Sequence, residues 1–292
     1  MDIDLAGADL HNLDFNHCHL LTGEFGEATF SKSAGFDGTR FAGRANFAGT
    51  RFAGFAGFAG AAFAGLAVFS RAMFARPARF DGVTFARDVR FMGAVFAGYA
   101  SFGGAGFAES VDFGGAAFAR QSSFRGAAFG RYARFVEVAF TGTVDFSKTR
   151  FTGLAMFLEA EFADSARFCE VEFAQEAGFA GAAFAGHAMF QEAEFGEDAS
   201  FVGAKFAGPA SFGRAKFAQT LRFLGANFAM PDRVGLEVGL HLVFLHLLPP
   251  GWRAARRRRG SRRPADDGPG RVLERDPAFS NSSAVSLDSS SG

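Results

Sequence analysis

Phenylalanine recurs along the chain at steps that alternate between six and five residues. The series runs from Phe30 to Phe228 and contains eighteen successive repeats of eleven residues. Before Phe30, an apolar residue recurs every five positions from Leu5 onward, and Phe55 is an extra phenylalanine that leaves the register unchanged. A fixed period of this kind indicates a repeat architecture in which every unit contributes to one continuous core.

A small residue stands two positions before almost every phenylalanine of the series, as Ala45 does before Phe47, and the residue between them varies freely. Small–variable–large is an alternation of period two, which predicts a very short strand with two inward-facing side chains. Glycine-rich pairs such as Ala48-Gly49 follow the phenylalanine. Such pairs are typical of tight turns, so each unit is predicted to be one short strand followed by a corner.

Four units of five, six, five and six residues make a coil of 22 residues, and successive coils should stack about 4.8 Å apart. This geometry predicts that Phe80, Phe102 and Phe124 form one aromatic column in the core. A two-sided solenoid with 11-residue coils would instead place Phe91 directly above Phe80. The strict steps of five at the N-terminus run straight into the alternating region, and this favours a single four-sided tube of about ten coils.

Two segments carry a resemblance to a known family. Ala8-Asp9-Leu10 and Ala45-Asn46-Phe47 match the A(D/N)LXX unit of pentapeptide-repeat proteins, and the resemblance extends over roughly residues 5 to 230. It implies an all-β fold, a right-handed quadrilateral β-helix. The chain departs from the family pattern because it uses Phe where the unit has Leu. It also adds one residue to every second unit, between Phe and the next small residue, where we expect a corner.

The chain divides into three predicted segments. Residues 1–230 are the β-helix, residues 231–250 are an apolar C-terminal cap or dimer segment, and residues 251–292 are an Arg-rich and then Ser-rich tail that we expect to be disordered. In the middle segment apolar residues alternate with others; they are Val234, Leu236, Val238, Leu240, Leu242 and Phe244.

The alternation in this segment favours a strand that either covers the last coil or pairs with a second copy of the chain. Membrane anchoring is the competing interpretation, because the apolar stretch is followed by arginines. A membrane span is disfavoured, since the stretch is short and contains Glu237 and His241. The arginine run itself is a candidate contact for a polyanion, although it is also typical of a solvated tail; it includes Arg256, Arg257, Arg258 and Arg259.

Charge and cysteine content narrow the class of protein. The chain has 30 basic and 30 acidic side chains, and residues 1–230 carry 20 and 23 of them, a net charge of −3. This balance argues against a nucleic-acid partner. Two cysteines and the lack of an apolar leader predict a cytoplasmic protein.

No residue pattern indicates catalysis. The cluster His17-Cys18-His19 could suggest a metal site, but Cys18 occupies the small inward position and both histidines should point outward, which makes a poor chelate. Cys169 should lie outside, far from Cys18. We find no nucleophile–base pair, phosphate-binding loop or paired-carboxylate signature, and so expect neither an enzyme nor a cofactor.

An acidic band is the main surface feature and the candidate interaction surface. It contains Glu159, Glu161, Glu170, Glu172, Glu176, Glu192, Glu194, Glu197 and Asp198. A 22-residue coil stacks Glu170 on Glu192 and Glu172 on Glu194, which costs some stability. The pairs Arg150–Glu172 and Glu194–Lys216 would bracket the second of these repulsions. A solvated face with tolerated repulsion is the alternative.

These observations favour a non-enzymatic scaffold that mediates protein interaction, with an unknown protein partner and a homodimer through the C-terminal segment. The family resemblance supplies one alternative, because some pentapeptide-repeat proteins bind DNA gyrase by imitating duplex DNA. A net charge of −3 makes this chain a weak mimic. A repeat protein associated with a membrane surface is the second alternative.

Overall fold

The computed structural model describes residues 1–230 and, beyond them, the backbone of strands at 234–235, 239–240, 252–256 and 271–275. Every regular element among these residues is a β-strand, and most strands are only two residues long. Forty-four of them form four parallel sheets of eleven strands each. The sheets are the four sides of one solenoid, here called faces 1 to 4 in the order in which the chain visits them.

Each face contributes one strand to every coil. Face 1 contains Ile3–Asp4, Gly23–Glu24, Ala45–Asn46, Ala67–Val68, Val89–Arg90, Ser110–Asp112, Tyr132–Arg134, Leu154–Met156, Ala177–Gly178, Ala199–Ser200 and Leu221–Arg222. Face 2 contains Asp9–Leu10, Thr29–Phe30, Arg51–Phe52, Met73–Phe74, Val95–Phe96, Ala117–Phe118, Ala139–Phe140, Glu161–Phe162, Ala183–Phe184, Lys205–Phe206 and Asn227–Phe228. Face 3 contains Leu13–Asp14, Ala34–Gly35, Ala56–Gly57, Ala78–Arg79, Ala100–Ser101, Ser122–Ser123, Val144–Asp145, Ala166–Arg167, Ala188–Met189, Ala210–Ser211 and Val234–Gly235. Face 4 contains His19–Leu20, Arg40–Phe41, Ala62–Phe63, Thr84–Phe85, Gly106–Phe107, Ala128–Phe129, Arg150–Phe151, Glu172–Phe173, Glu194–Phe195, Lys216–Phe217 and Gly239–Leu240.

The register between coils confirms the four-sided tube. Arg51 pairs with Met73, 22 residues later, and the same offset recurs through the regular part of the rod. At the N-terminus Ile3 pairs with Gly23, an offset of 20 that follows from the strict steps of five. The 11-residue, two-sided solenoid is therefore excluded.

Stacked phenylalanine rings fill the core. The ring centroids of Phe80 and Phe102 lie 4.8 Å apart at an interplanar angle of 5°, and Phe124 continues the column at 4.9 Å. Phe91 meets Phe80 edge to face at 5.6 Å, from the opposite side of the tube. Offset stacks along each column and edge-to-face contacts between columns are the two favoured arrangements of aromatic rings. The predicted column is confirmed.

The corners after faces 1 and 3 require an unusual backbone. From Glu27 to Gly225, every eleventh residue has a positive φ, and eleven of these nineteen positions are glycine. Glycine adopts this left-handed conformation without steric cost. The other eight positions carry a Glu, Lys or Arg. Phe55 lies between the strands Arg51–Phe52 and Ala56–Gly57 and is 39% exposed, so the extra phenylalanine sits at a corner outside the core.

A few inward positions carry hydroxyl side chains instead of alanine or valine. The buried Thr39, Thr50 and Thr149 hydroxyls donate hydrogen bonds to the backbone carbonyls of the phenylalanines at 15, 25 and 124, at 2.6–2.9 Å. Ser122 occupies an inward position on face 3, and its buried hydroxyl oxygen has no hydrogen-bond partner within the described part of the chain. An unsatisfied buried hydroxyl lowers stability by about 1–3 kcal/mol.

Replacing Ser122 with alanine should therefore stabilise the rod, by about 1 kcal/mol. Alanine is the residue found at the equivalent position one coil earlier, Ala100, and it fits the same space. Urea unfolding of the two proteins measures the change. The matched control is Ser123→Ala, on the outward side of the same strand, which should leave the unfolding midpoint almost unchanged. A loss of stability in Ser122→Ala would show that the hydroxyl has a partner.

The C-terminal segment starts as a continuation of the solenoid. Val234–Gly235 pairs with Ala210–Ser211 on face 3, and Gly239–Leu240 pairs with Lys216–Phe217 on face 4. The backbone at Val234 and Leu240 thus extends two faces, whereas the alternation predicted one continuous strand. The chain keeps turning because each added strand pairs with the exposed edge of the last coil. The other four members of the predicted cap lie outside the described residues, namely Leu236, Val238, Leu242 and Phe244.

Two longer strands occur in the segment predicted to be a disordered tail. Trp252–Arg256 pairs with Arg271–Arg275 in an antiparallel arrangement. Arg256, one of the candidate polyanion contacts, ends the first of these strands. The remaining candidates, Arg257, Arg258 and Arg259, lie outside the described residues, as does the rest of the tail.

Candidate interaction surfaces

The outward side chains of the rod form columns, because a residue on one coil lies directly beside the residue 22 positions later. On face 4 one column runs Arg150, Glu172, Glu194 and Lys216. The Arg150 guanidinium lies 2.9 Å from the Glu172 carboxylate, and the Lys216 ammonium lies 2.7 Å from the Glu194 carboxylate. The predicted bracketing of two stacked carboxylates by two cations is confirmed.

A second column of the same design lies beside the first, on the corner between faces 3 and 4. It contains Lys148, Glu170, Glu192 and Arg214. Lys148 pairs with Glu170 at 3.4 Å, and Arg214 forms an ion pair with Glu192. We call the two columns together the double ladder. The stacking of Glu170 on Glu192 was predicted from the 22-residue spacing. The two flanking cations, Lys148 and Arg214, were not predicted, although the same spacing relates them to the two glutamates.

The double ladder has two features that cost stability. All four corner residues have a left-handed φ, between 55° and 61°, which costs a residue other than glycine about 1–2 kcal/mol. The preceding positions of the same corner, Gly38 to Gly126, are all glycine. In addition, the Glu170–Glu192 and Glu172–Glu194 rungs place like charges side by side. Both costs fall on the same patch of surface.

The remaining acids of the candidate surface are spread around the rod. Asp198 forms an ion pair with Arg222 at 2.7 Å, and Glu176 and Glu197 lie nearby on the corner between faces 4 and 1. Glu159 lies on the corner between faces 1 and 2, and Glu161 lies on face 2, away from the ladder. The acidic band is thus several separate sites, and five of its nine carboxylates are neutralised by a neighbouring coil.

Charge is also divided into zones along the rod. Residues 1–39 carry seven acids and one base, residues 40–134 carry four acids and twelve arginines, and residues 135–230 carry twelve acids and seven bases. The three zones have net charges of −6, +8 and −5. A basic belt therefore separates two acidic ends.

Cys18, His17 and His19 lie where the strand pattern places them. Cys18 packs against the core, whereas His17 and His19 are exposed. Cys169 is half-buried, burial raises the pKa of its thiol, and its sulfur donates a hydrogen bond to Gln191 at 3.2 Å. Within the described residues, no group of three or more His, Cys, Asp or Glu side chains is arranged to hold a metal ion. None of the described segments is a helix long and apolar enough to cross a membrane.

Comparison with known proteins identifies the repeat. A family model described as pentapeptide repeats (9 copies) matches residues 15–62, 58–106, 102–150 and 190–229. Among solved structures, the chain matches trypsin-treated QnrB1, a plasmid-mediated fluoroquinolone resistance protein, at 16% identity and a TM-score of 0.27, over 75% of this chain and 89% of that one. No curated protein matches the chain. Because the family model covers more than half of its residues, this chain belongs to the pentapeptide repeat family.

Proposed function

We propose that the protein is a non-enzymatic scaffold of the cytoplasm and that a partner protein binds it at the double ladder. The inward positions are filled by closely packed phenylalanine and small residues, so the chemistry of the rod is carried by its outward columns. Columns of paired charges suit recognition of a complementary surface and contain no arrangement for bond-making. The position of the polar side chains on the outer surface supports the scaffold role.

The retained cost at the ladder carries this proposal. Glycine at the corner position would remove the backbone strain, and a neutral outward residue on face 4 would remove the like-charge contacts. Between residues 60 and 128 the rod has both features, with glycine at every such corner and neutral residues on face 4. Unfavourable local conformations persist where they serve a function. The ladder presents two rows of carboxylates between two rows of cations, a pattern that a partner can read with its own charges.

The charge distribution favours a scaffold over a mimic of duplex DNA. A mimic needs a continuous acidic surface, because the DNA backbone carries one charge in about every 1.7 Å. Here the basic belt of residues 40–134 interrupts the acidic zones, and the ladder carboxylates are already paired with cations. A DNA supercoiling assay with gyrase tests the alternative, and inhibition by micromolar protein would support it.

The most specific test reverses the sign of every charge in the double ladder while keeping its ion pairs. In this variant each cation becomes Glu and each carboxylate becomes Lys; the substitutions are Lys148→Glu, Arg150→Glu, Glu170→Lys, Glu172→Lys, Glu192→Lys, Glu194→Lys, Arg214→Glu and Lys216→Glu. Every ion pair within the rod is kept with reversed polarity, so the thermal midpoint should stay within a few degrees of the wild-type value.

Binding should respond quite differently from stability. Immobilised wild-type protein should retain a stoichiometric partner from lysate of the native cells, and soluble wild-type protein should displace it. The inverted ladder should lose this partner. The matched control reverses an ion pair on face 1, in which the Asp112 carboxylate lies 3.6 Å from the Arg134 guanidinium. This control carries Asp112→Arg and Arg134→Asp and should bind the partner normally. Equal retention by the inverted ladder and the control would overturn the proposed site.

A further inference from the structure

The outward column of face 2 has a symmetric order of residue types along the rod. Charged residues stand toward its two ends and apolar residues stand in its centre. In chain order the column reads Asp9, Thr29, Arg51, Met73, Val95, Ala117, Ala139, Glu161, Ala183, Lys205 and Asn227. Met73 and Val95 are 43% and 38% exposed, which is high for large apolar side chains at the middle of a sheet.

The charges on face 2 differ from those of the double ladder in having no partners within the rod. Asp9, Arg51, Glu161 and Lys205 form no ion pair or side-chain hydrogen bond with any described residue. Asp9 and Arg51 are two coils apart along the column, as are Glu161 and Lys205, which is a separation of about 10 Å. An acid and a base are nevertheless present at each end of the column.

We propose that face 2 is the interface between two antiparallel copies of this chain. The two-fold axis lies in the interface and runs parallel to the strands, midway between the rungs of Val95 and Ala117. This symmetry places each coil of one copy opposite a defined coil of the other. When the coils are counted from the strand of Asp9, the fifth coil faces the sixth, and the fourth faces the seventh. Two-fold pairing is the commonest form of association between identical chains.

The residues that this symmetry brings together are complementary in size and charge. Val95 faces Ala117 of the second copy, and Met73 faces Ala139, so a large side chain meets a small one at each central rung. Farther out, Arg51 faces Glu161. The outermost pair is Asp9 with Lys205, and each contact occurs twice. A parallel arrangement would instead place Arg51 against Arg51.

The corner between faces 1 and 2 obeys the same symmetry. Arg71, on the fourth coil, faces Glu137 on the seventh, and neither has an ion pair within the described residues. Met92, which is 50% exposed, faces Gly114. At the corner between faces 2 and 3, Arg120 of one copy lies opposite Gly98 of the other, so the long arginine side chain has room. The match therefore extends across the width of the face.

Two identical rods can keep this match over many rungs because their coils have the same spacing. Ten rungs at about 4.8 Å give a strip roughly 45 Å long, and five residues of extended chain make it roughly 16 Å wide. The strip corresponds to roughly 700 Å² per copy, close to the size of stable interfaces. The proposal is independent of the partner site, since the double ladder lies on the opposite side of the rod.

The shape of the dimer separates this interface from the C-terminal one predicted earlier. Side-by-side rods keep the length of the monomer and double its cross-section, whereas rods joined at their C-terminal ends are about twice as long. Small-angle X-ray scattering of the full chain should therefore give a dimeric mass with a monomer-like maximum dimension. A monomer at the highest attainable concentration, or a doubled length, would overturn the proposal.

Charge reversal tests the register. Arg51→Glu and Glu161→Arg should each raise the dimer dissociation constant at least about tenfold in sedimentation experiments, because two opposed pairs become repulsive. An equimolar mixture of the two variants should recover dimers, since both 51–161 contacts of the mixed dimer would again join a carboxylate to a guanidinium. Thr84→Glu, an exposed position on face 4, is the matched control and should dimerise normally. Failure of the mixture to recover, with both variants folded, would refute this register.

Discussion

Replacing Phe124 with alanine should lower the free energy of unfolding by roughly 3–5 kcal/mol. The ring is fully buried and is stacked between Phe102 at 4.9 Å and Phe146 at 4.7 Å. The edges of Phe113 and Phe135 contact it from the opposite side of the tube, each at 5.5 Å. These neighbours are held in their own columns and cannot collapse into the space, so most of the ring volume should remain as a cavity. Denaturant unfolding followed by circular dichroism measures the loss.

Phe55 supplies the control for this experiment because it is the same residue type outside the core. It lies at a corner and is 39% exposed, so Phe55→Ala should cost less than about 1 kcal/mol. Losses of equal size at the two sites would contradict the assignment of Phe55 to the surface.

Replacing Gly153 with alanine should destabilise the rod by about 3 kcal/mol, at the upper end of what overpacking costs. Gly153 lies on the corner between faces 4 and 1, where the added Cβ would overlap the backbone carbonyl oxygen of Arg131 on the preceding coil. A carbonyl in a sheet ladder cannot rotate away as a side chain can. The coils would have to separate locally, which breaks the stacking of the neighbouring rings. The thermal midpoint of the purified variant reports the effect.

Gly126 is the control that distinguishes the steric clash at Gly153 from the general effect of replacing a glycine with alanine. It has a φ of 67°, and a Cβ added there would meet nothing within 4 Å. Gly126→Ala should therefore cost only the backbone strain, about 1 kcal/mol. If both alanine variants unfold at the same temperature, the clash at Gly153 is relieved without separating the coils.

The core could be derived from the sequence because it repeats. The steps between Phe30 and Phe228 determined the coil length, and the small residue two positions earlier showed which side chains of each strand face inward. The shorter first coil, where Ile3 pairs with Gly23, also followed from the spacing. Each of these features depends on backbone geometry that one unit imposes on the next.

The surface was harder to derive because the ion pairs there depend on the backbone conformation of the corner residues. Lys148 and Glu170 stand at corners where a turn favours glycine, and only the structure shows that their left-handed backbone brings them together. The acids of one sequence stretch proved to lie on different faces, as Glu161 and Glu172 do, because five residues of chain turn through one corner. The lack of a partner for the Ser122 hydroxyl among the described residues could not be predicted either, since the Thr149 hydroxyl, at another inward position, donates a hydrogen bond to a backbone carbonyl.

The constant 22-residue coil has a consequence for how such a molecule can change in evolution. Duplicating or deleting one whole coil within the rod would leave every ring above another ring, so the core sets no particular length. The surface is less tolerant, because a coil inserted between Val95 and Ala117 would move the proposed two-fold axis onto a rung and set the new residue against its own copy. Folding therefore allows the rod to gain or lose whole coils. The proposed interface with a second copy is what would hold the number of coils constant.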